Sequence, residues 1–415
     1  MDPNTARPGF HRKVVYIPGY DPFHPRRYRE LYRSEGRAQA QISGYQIDLK
    51  AKSEKGLYGW HVDALFEGQG CRSDIDVLVW SDIVKSSMDQ GIFATYVQLM
   101  RTAAIYIGSG ALFRLMRLRK GPMIAALYPI VFLLVQMGLA IALAAGVFWG
   151  VMAATGQIPG ADVLLYSRGA LGVLAGAAVG YGLLRLCKAF DHKIFAYYLM
   201  HDYAYSAQHR GAIPAALAAR MDQFRATIGQ AMTGSYDEVL VVGHSSGAHL
   251  AVSILADLIR DGLPGQRPAL GFLSLGHVVP MVSFLPQAQR LRADLHYLAA
   301  RRELTWIDVT APGDGCAFAL CDPVSVTGVA PPDKIWPLVV SAAFSQTLSP
   351  ERWRALRWRF FRLHFQYLCA FNRPGDYDYF RITAGAQTLA ARFGGRKPSA
   401  SRIETATSGY RDMAQ

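Results

Sequence analysis

The residues best suited to chemistry are the five of Gly243-His244-Ser245-Ser246-Gly247. Ahead of them, Glu238-Val239-Leu240-Val241-Val242 reads as a buried parallel strand, short and rich in β-branched side chains. Behind them, residues 248–258 carry apolar side chains at helical spacing, and the pattern stops near Gly262 and Pro264. A chain that passes from strand to helix in so few residues bends sharply. The central serine is then held in a strained backbone conformation, and the glycines two positions either side let neighbouring elements come close. Its hydroxyl stands at a helix N-terminus, where unpaired amides favour a developing negative charge. Such a hydroxyl attacks a carbonyl once an imidazole takes its proton and a carboxylate fixes the tautomer of that imidazole. The plainer role for a serine at this place is to cap the helix.

This strand, turn and helix resemble the nucleophile elbow of the α/β-hydrolase superfamily, and the resemblance covers roughly residues 10–120 and 190–390. It implies a serine, an acid and a histidine in that chain order, with Ser245 as nucleophile. The loop Thr310-Ala311-Pro312-Gly313-Asp314-Gly315 follows a strand and offers Asp314 as the acid; Asp308 lies within that strand, and Asp322 precedes a proline as turn residues do. Of the eleven histidines only His364 lies beyond Asp314, so the order selects it. His277, at the tip of the strand over residues 270–276, is the competitor under an altered order, while His244 and His249 are bound to the elbow itself. The resemblance also implies two backbone amides for an oxyanion: that of Ser246, and that of Tyr20 in the early loop Pro18-Gly19-Tyr20-Asp21. The superfamily often has His-Gly in this loop, where this chain has Pro-Gly. Asp21 and His24 are either substrate contacts or solvated turn residues. The implied reaction is cleavage of hydrophobic acyl esters. An acyltransferase using the same triad and a catalytically silent, partner-binding scaffold are the alternatives.

Bringing three such distant residues to one rim requires a sheet, and 415 residues at 51% apolar content suffice for a full core. Val14-Val15-Tyr16-Ile17 is a short strand that breaks at Pro18-Gly19, and a helix follows from about Pro25. Residues 42–80 alternate apolar and polar, with turns near Glu54-Lys55-Gly56 and Glu67-Gly68-Gln69-Gly70, which predicts a three-stranded meander. A helical stretch begins near Ile92, further helices fill residues 190–232, and strands and helices alternate from residue 238 to 309. The expected class is therefore α/β, a mainly parallel sheet with helices on both faces.

A two-helix transmembrane hairpin is expected to interrupt it. Residues 121–161 contain no charged side chain, and residues 163–184 contain only Arg168; about 20 apolar residues cross a bilayer. The turn Thr155-Gly156-Gln157-Ile158-Pro159-Gly160 lacks Lys and Arg, whereas Arg114, Arg117, Arg119 and Lys120 precede the hairpin and Arg185 and Lys188 follow it. The positive-inside rule then puts both ends, and the hydrolase domain, on the cytoplasmic side. Small residues recur every fourth position, Gly138, Ala142, Gly146 and Gly150 in the first helix and Gly172, Gly176 and Gly180 in the second, as stripes for close packing. Arg168 is expected to snorkel to the far interface. The predicted division is residues 10–120 and 188–392 as the two parts of the hydrolase domain, 121–187 as the hairpin, and 393–415 as a disordered tail.

The net charge of +13 fits membrane lipids with anionic headgroups better than nucleic acid, because the chain is already tethered beside them. Part of that charge is the run Arg352, Arg354, Arg357, Arg359 and Arg362. Five cysteines, few and odd in number, suit a reducing compartment, with Cys316 and Cys321 read as packing residues. Residues 1–13 lack the apolar core of a secretory signal. No phosphate-cradling loop, dinucleotide fingerprint or metal-spaced cluster stands out, so no cofactor and no metal are expected.

Overall fold

The computed structural model describes residues 9–53, 56–157 and 165–414. By their contacts, Met1–Ser86, Tyr106–Met123 and His209–Gln415 form one unit, and Ser87–Ile105 and Ile124–Gln208 form the other.

The first unit is α/β, built on an eight-stranded mixed sheet: β1 (Phe10–Ile17), β2 (Gln46–Ala51), β3 (Gly59–Phe66), β4 (Gln69–Val77), β5 (Glu238–His244), β6 (Ala269–Leu275), β7 (Thr305–Thr310) and β8 (Leu338–Ser341). Their spatial order is β2-β3-β4-β1-β5-β6-β7-β8. The expected meander is present as the antiparallel run β2-β3-β4, although its Glu54-Lys55 turn lies outside the described residues. From β4 to β8 each neighbouring pair is parallel. Every residue of β5 is buried, as a strand covered on both faces must be. On one face Val14, Tyr16, Leu240, Val242, Leu273 and Ile307 pack under Tyr28, Tyr32, Tyr367 and Phe380. Full burial of each such side chain stabilises the fold by about 1.5–3 kcal/mol. On the register side, Arg12 stands opposite Glu238 and bonds it through Nε at 2.7 Å, which ties β1 to β5 inside the core.

The segment after residue 392, expected to be disordered, is ordered across residues 394–414. Its backbone finds partners on the sheet edge and on buried residues beside it. The Ser399 amide donates to the Val339 carbonyl of edge strand β8 (2.9 Å), Ile403 bridges to Cys321, and the Thr407 amide donates to the Val326 carbonyl (2.9 Å). Arg292 donates from Nε to the Asp412 carbonyl at 2.7 Å. A polar composition fails to build a core, but it covers an open strand edge well.

Helix Lys120–Gly156 (37 residues), which belongs to the second unit from Ile124 on, and helix Leu165–Ala189 (25 residues) of that unit are each long and apolar enough to cross a membrane. Residues 158–164, which include the end of the expected turn and the start of the second apolar segment, lie outside the described residues. The unit is wider than the hairpin read from the sequence. Ile92, Tyr96 and Leu99 before it, and Tyr197, Met200 and Ala204 after it, share a core with Leu133, Ala140 and Leu184. The small-residue stripe is correct for the second helix. A Cβ on Gly176 would come within 2.5 Å of the Ala144 carbonyl oxygen, one on Gly180 within 2.9 Å of the Ala140 oxygen, and one on Gly172 within 2.8 Å of the Phe148 ring. On the first helix the stripe is displaced. The contact runs along Ala140, Ala144 and Phe148, while a Cβ on Gly138, Gly146 or Gly150 would meet nothing within 4 Å among the described residues. Arg168 does not simply reach outward: its Nε donates to Thr155 Oγ1 (2.9 Å) and its Nη2 to the Met152 carbonyl (2.8 Å), closing the last turn of the first helix.

Candidate active site

Where β5 ends, Ser245 carries the strain that the motif foretells. Its φ is 56° and ψ −120°, a region L-residues avoid at a cost of about 1–3 kcal/mol. The surroundings enforce it. The Ser245 amide donates to the Leu275 carbonyl of β6 at 2.9 Å, and helix Ser246–Arg260 starts at the next residue. A Cβ on Gly247 would sit 2.1 Å from the Ile17 carbonyl oxygen, and one on Gly243 2.8 Å from the Gly247 oxygen, so both elbow positions admit only glycine. The serine is half-buried at this turn.

Asp314 and His364 meet although 50 residues separate them: His364 Nδ1 lies 2.7 Å from Asp314 Oδ2. Asp314 is held from three directions. Its Oδ1 accepts from the Cys316 amide at 2.8 Å, and its Oδ2 accepts from the Tyr367 hydroxyl at 3.0 Å as well as from His364. Burial alone would raise its pKa, but the charge of His364 and these hydrogen bonds outweigh burial and hold the carboxyl below its ordinary range. Burial first, and Asp314 second, drive the Tyr367 hydroxyl well above its ordinary range, so it stays protonated as a donor. The same hydroxyl accepts from the Ala311 amide at 3.0 Å, which ties both ends of the acid loop to one ring.

His364 ends the short helix Phe360–His364. With Nδ1 engaged by the carboxylate, its Nε2 is buried and has no hydrogen-bond partner among the described residues, the Ser245 hydroxyl included. The ring nevertheless lies in the neighbourhood of the elbow. It packs 4.9 Å from the His244 ring, and the His364 carbonyl accepts from His244 Nε2 at 3.0 Å. It also borders Gly276, the residue after the carbonyl that receives the Ser245 amide. Gly276 has φ +53°, and a Cβ there would lie 2.6 Å from the Tyr367 ring and 3.1 Å from His364 Cε1.

The other sequence candidates fall into structural places. His277 is wholly buried; its Nε2 donates to the Cys321 carbonyl (3.0 Å) and its Nδ1 accepts from the Val279 amide (3.3 Å), so neither nitrogen is spare. Burial, followed by the charge of His364, pushes His244 down to about 3, which keeps it neutral. Asp308 is pushed up to about 6 by burial and accepts from Ser274 Oγ at 2.5 Å. Asp322 caps the helix Pro323–Thr327 through the amides of Val324 and Ser325. Asp21 staples its own loop, accepting from the Tyr28 hydroxyl at 2.5 Å and the Phe23 amide at 2.9 Å.

For the oxyanion, Ser246 opens a helix, and first-turn amides have no acceptor within their own helix. The Tyr20 loop closes on the serine from β1: a Cβ on Gly19 would lie 2.9 Å from Ser245 Cβ and 3.4 Å from its Oγ. Trp80 pins this loop by donating to the Pro18 carbonyl at 2.9 Å, and the Tyr20 ring packs edge-on against the indole.

Three participants escaped the sequence reading. Gly19 is required by the approach just described, Tyr367 braces the acid, and the Arg27 guanidinium lies 4.5 Å over the Phe365 ring, next to His364. The fold also draws Cys316 to the pair. The ligand atoms of Asp314, Cys316 and His364 lie within 4.8 Å of one another, the one His/Cys/Asp/Glu grouping of metal-holding spacing among the described residues. Chemically, the arrangement offers an oriented imidazole with one open nitrogen, in the neighbourhood of a serine on a strained turn at a helix N-terminus. No family model, curated protein or solved structure matches the chain.

Proposed function

We propose that the chain is a membrane-anchored serine hydrolase that cleaves hydrophobic acyl esters, with Ser245 as nucleophile, His364 as general base and Asp314 as the carboxylate that orients it. An elbow serine after β5, an acid after β7 and a histidine further on support an α/β-hydrolase-like, mainly parallel fold. The observation that carries the reading is the His364 ring, bonded to Asp314 through one nitrogen and left with a buried, unpartnered second nitrogen.

In the reaction, Ser245 Oγ attacks the ester carbonyl carbon while His364 Nε2 takes its proton, and Asp314 stabilises the imidazolium. The Ser246 and Tyr20 amides stabilise the oxyanion of the tetrahedral intermediate. His364 returns the proton to the leaving alcohol. Water then repeats the sequence on the acyl-enzyme, releasing the acid and restoring the serine. The two apolar helices support a two-pass anchor, and the basic residues flanking them support a cytoplasmic site.

Labelling of the membrane fraction with a fluorophosphonate tests this directly. Wild type labels and Ser245→Ala does not; an unlabelled wild type overturns the reading.

One observation favours a second reading, a silent scaffold with this fold: the Ser245 hydroxyl makes no hydrogen bond to His364 Nε2. Catalytic hydrogen bonds are often long before substrate binds, which is why the hydrolase is preferred. A scaffold would leave the cellular phenotype of Ser245→Ala unchanged.

A further inference from the structure

Residues 350–360 lie along the outside of the acid loop and are fixed to it at both ends. A Cβ on Gly313 would come within 2.5 Å of the Trp353 indole, and one on Gly315 within 2.9 Å of the Phe360 ring. Phe360 begins the helix that ends in His364, a span of about 6 Å at 1.5 Å per residue. Between these anchors Leu356 packs against the core while most other side chains turn outward. Arg354, Arg357, Trp358 and Arg359 are exposed, Trp358 at 73%. The Arg357 guanidinium sits 5.6 Å from the Trp358 ring, and the acid of this stretch, Glu351, lies 3.8 Å from Arg354.

An exposed indole among guanidinium groups pairs apolar ring area with positive charge. The medium that accepts both is the interfacial layer of an anionic bilayer, where rings sit at headgroup depth and basic side chains meet phosphate. Within its own unit this loop also packs against the start of a helix long and apolar enough to cross a membrane. Gly121, in the first turn of the 37-residue apolar helix, lies against Gly315: a Cβ on it would be 3.5 Å from Gly315 Cα.

We propose that the segment Arg354 to Phe360 is a docking rim that seats the His364–Asp314 end of the site on anionic lipid headgroups. Its substrate therefore reaches Ser245 from the lipid phase: an ester dissolved in the leaflet rather than one free in water. The choice of substrate rests on the hydrolase reading, whereas the docking surface does not.

Two measurements on the full chain, reconstituted in vesicles, decide between these parts. In the first, acyl chains carry bromine as a quencher, and the emission of Trp358 is taken as the difference between wild type and Trp358→Phe. That emission should fall at least about two-fold in brominated phosphatidylglycerol vesicles and clearly less in brominated phosphatidylcholine. Absence of quenching, or equal quenching in both lipids, overturns the rim. In the second, the combined Arg354→Gln, Arg357→Gln and Arg359→Gln variant is assayed on a vesicle-borne ester and on a water-soluble ester. The ratio of the two KM values should rise at least about ten-fold; an unchanged ratio overturns lipid-side access. Quenching without fluorophosphonate labelling would keep the docking surface and remove the hydrolase, and labelling without quenching would do the reverse.

Discussion

Two buried imidazoles stand beside aspartates in this molecule, and they are built for opposite ends. His277 follows β6 and faces Asp308 of β7 at 3.6 Å, with both ring nitrogens already engaged by the backbone. Asp308 in turn bonds Ser274, which accepts from the Trp306 indole at 2.9 Å. That network contains a serine, a histidine and an aspartate, yet its imidazole has no open nitrogen; the atom left without a partner is Asp308 Oδ2. The His364–Asp314 pair is closer, its aspartate is held in the charged form, and one nitrogen is kept without a partner. Residue types alone do not separate a polar core from a reactive centre. What differs here is a spare imidazole nitrogen in the neighbourhood of a serine on a strained turn.

The sharpest way to break this contrast is at the reactive pair. Ser245→Ala and His364→Ala should each lower kcat by about 10⁴-fold or more, with Asp314→Asn close behind, and the double variant Ser245→Ala/His364→Ala should fall little further. Turnover of a chromogenic ester by each purified protein measures this, and additive losses would mean that the residues do not act as a unit. The mirror experiment is His277→Asn. It should leave kcat within a few-fold while lowering stability by about 1–3 kcal/mol, because the Cys321 carbonyl and the Val279 amide lose their partner. Thermal unfolding and turnover of the same sample would separate the two effects, and a collapse of kcat with unchanged unfolding would reverse the assignment.

Tyr367→Phe should act more gently, lowering kcat by about ten-fold. Loss of a donor to Asp314 Oδ2 disfavours the ionised carboxylate, so its pKa rises and activity should fail at a higher pH on acidification. A pH–rate profile identical in shape to that of wild type would reduce Tyr367 to packing alone. The smallest expected effect is on stability. Asp314 has a folded pKa below the ordinary value of 3.8, so its contribution is fully present above that value and is lost as pH falls through the lower folded one. The stability gap between wild type and Asp314→Asn should therefore be open at pH 7 and close towards strongly acid pH in denaturant titrations.

Much of this site could be read from local chemistry. Gly243, Ser245 and Gly247 constrain one another within five residues, and the order implied by the α/β-hydrolase resemblance, with His277 as the competitor, selected the histidine that contacts Asp314 in the structure. The antiparallel meander was legible because alternation survives in each strand. What stayed hidden depends on distant partners. Nothing near Tyr367 in the chain announces that its hydroxyl meets Asp314, and Gly19 is needed only because β5 turns against it. β8, only four residues long and directly after Pro337, is too short to show a period. On the first apolar helix, spacing revealed a smooth stripe but not which side its partner would take, so Ala140, Ala144 and Phe148 were passed over for the glycines. The ordered tail was hidden for a related reason, since its bonds go to partners distant in the chain, such as the Val339 carbonyl and the Arg292 guanidinium.

Gly276 touches no reacting atom, but its missing side chain is the slot that seats the Tyr367 and His364 rings. A single added methyl there would displace the brace of the acid and the base together. Substitution scans should record position 276 as intolerant as the proposed nucleophile Ser245, and an engineer seeking an inert but intact variant could work from this hollow without altering any residue of the proposed triad.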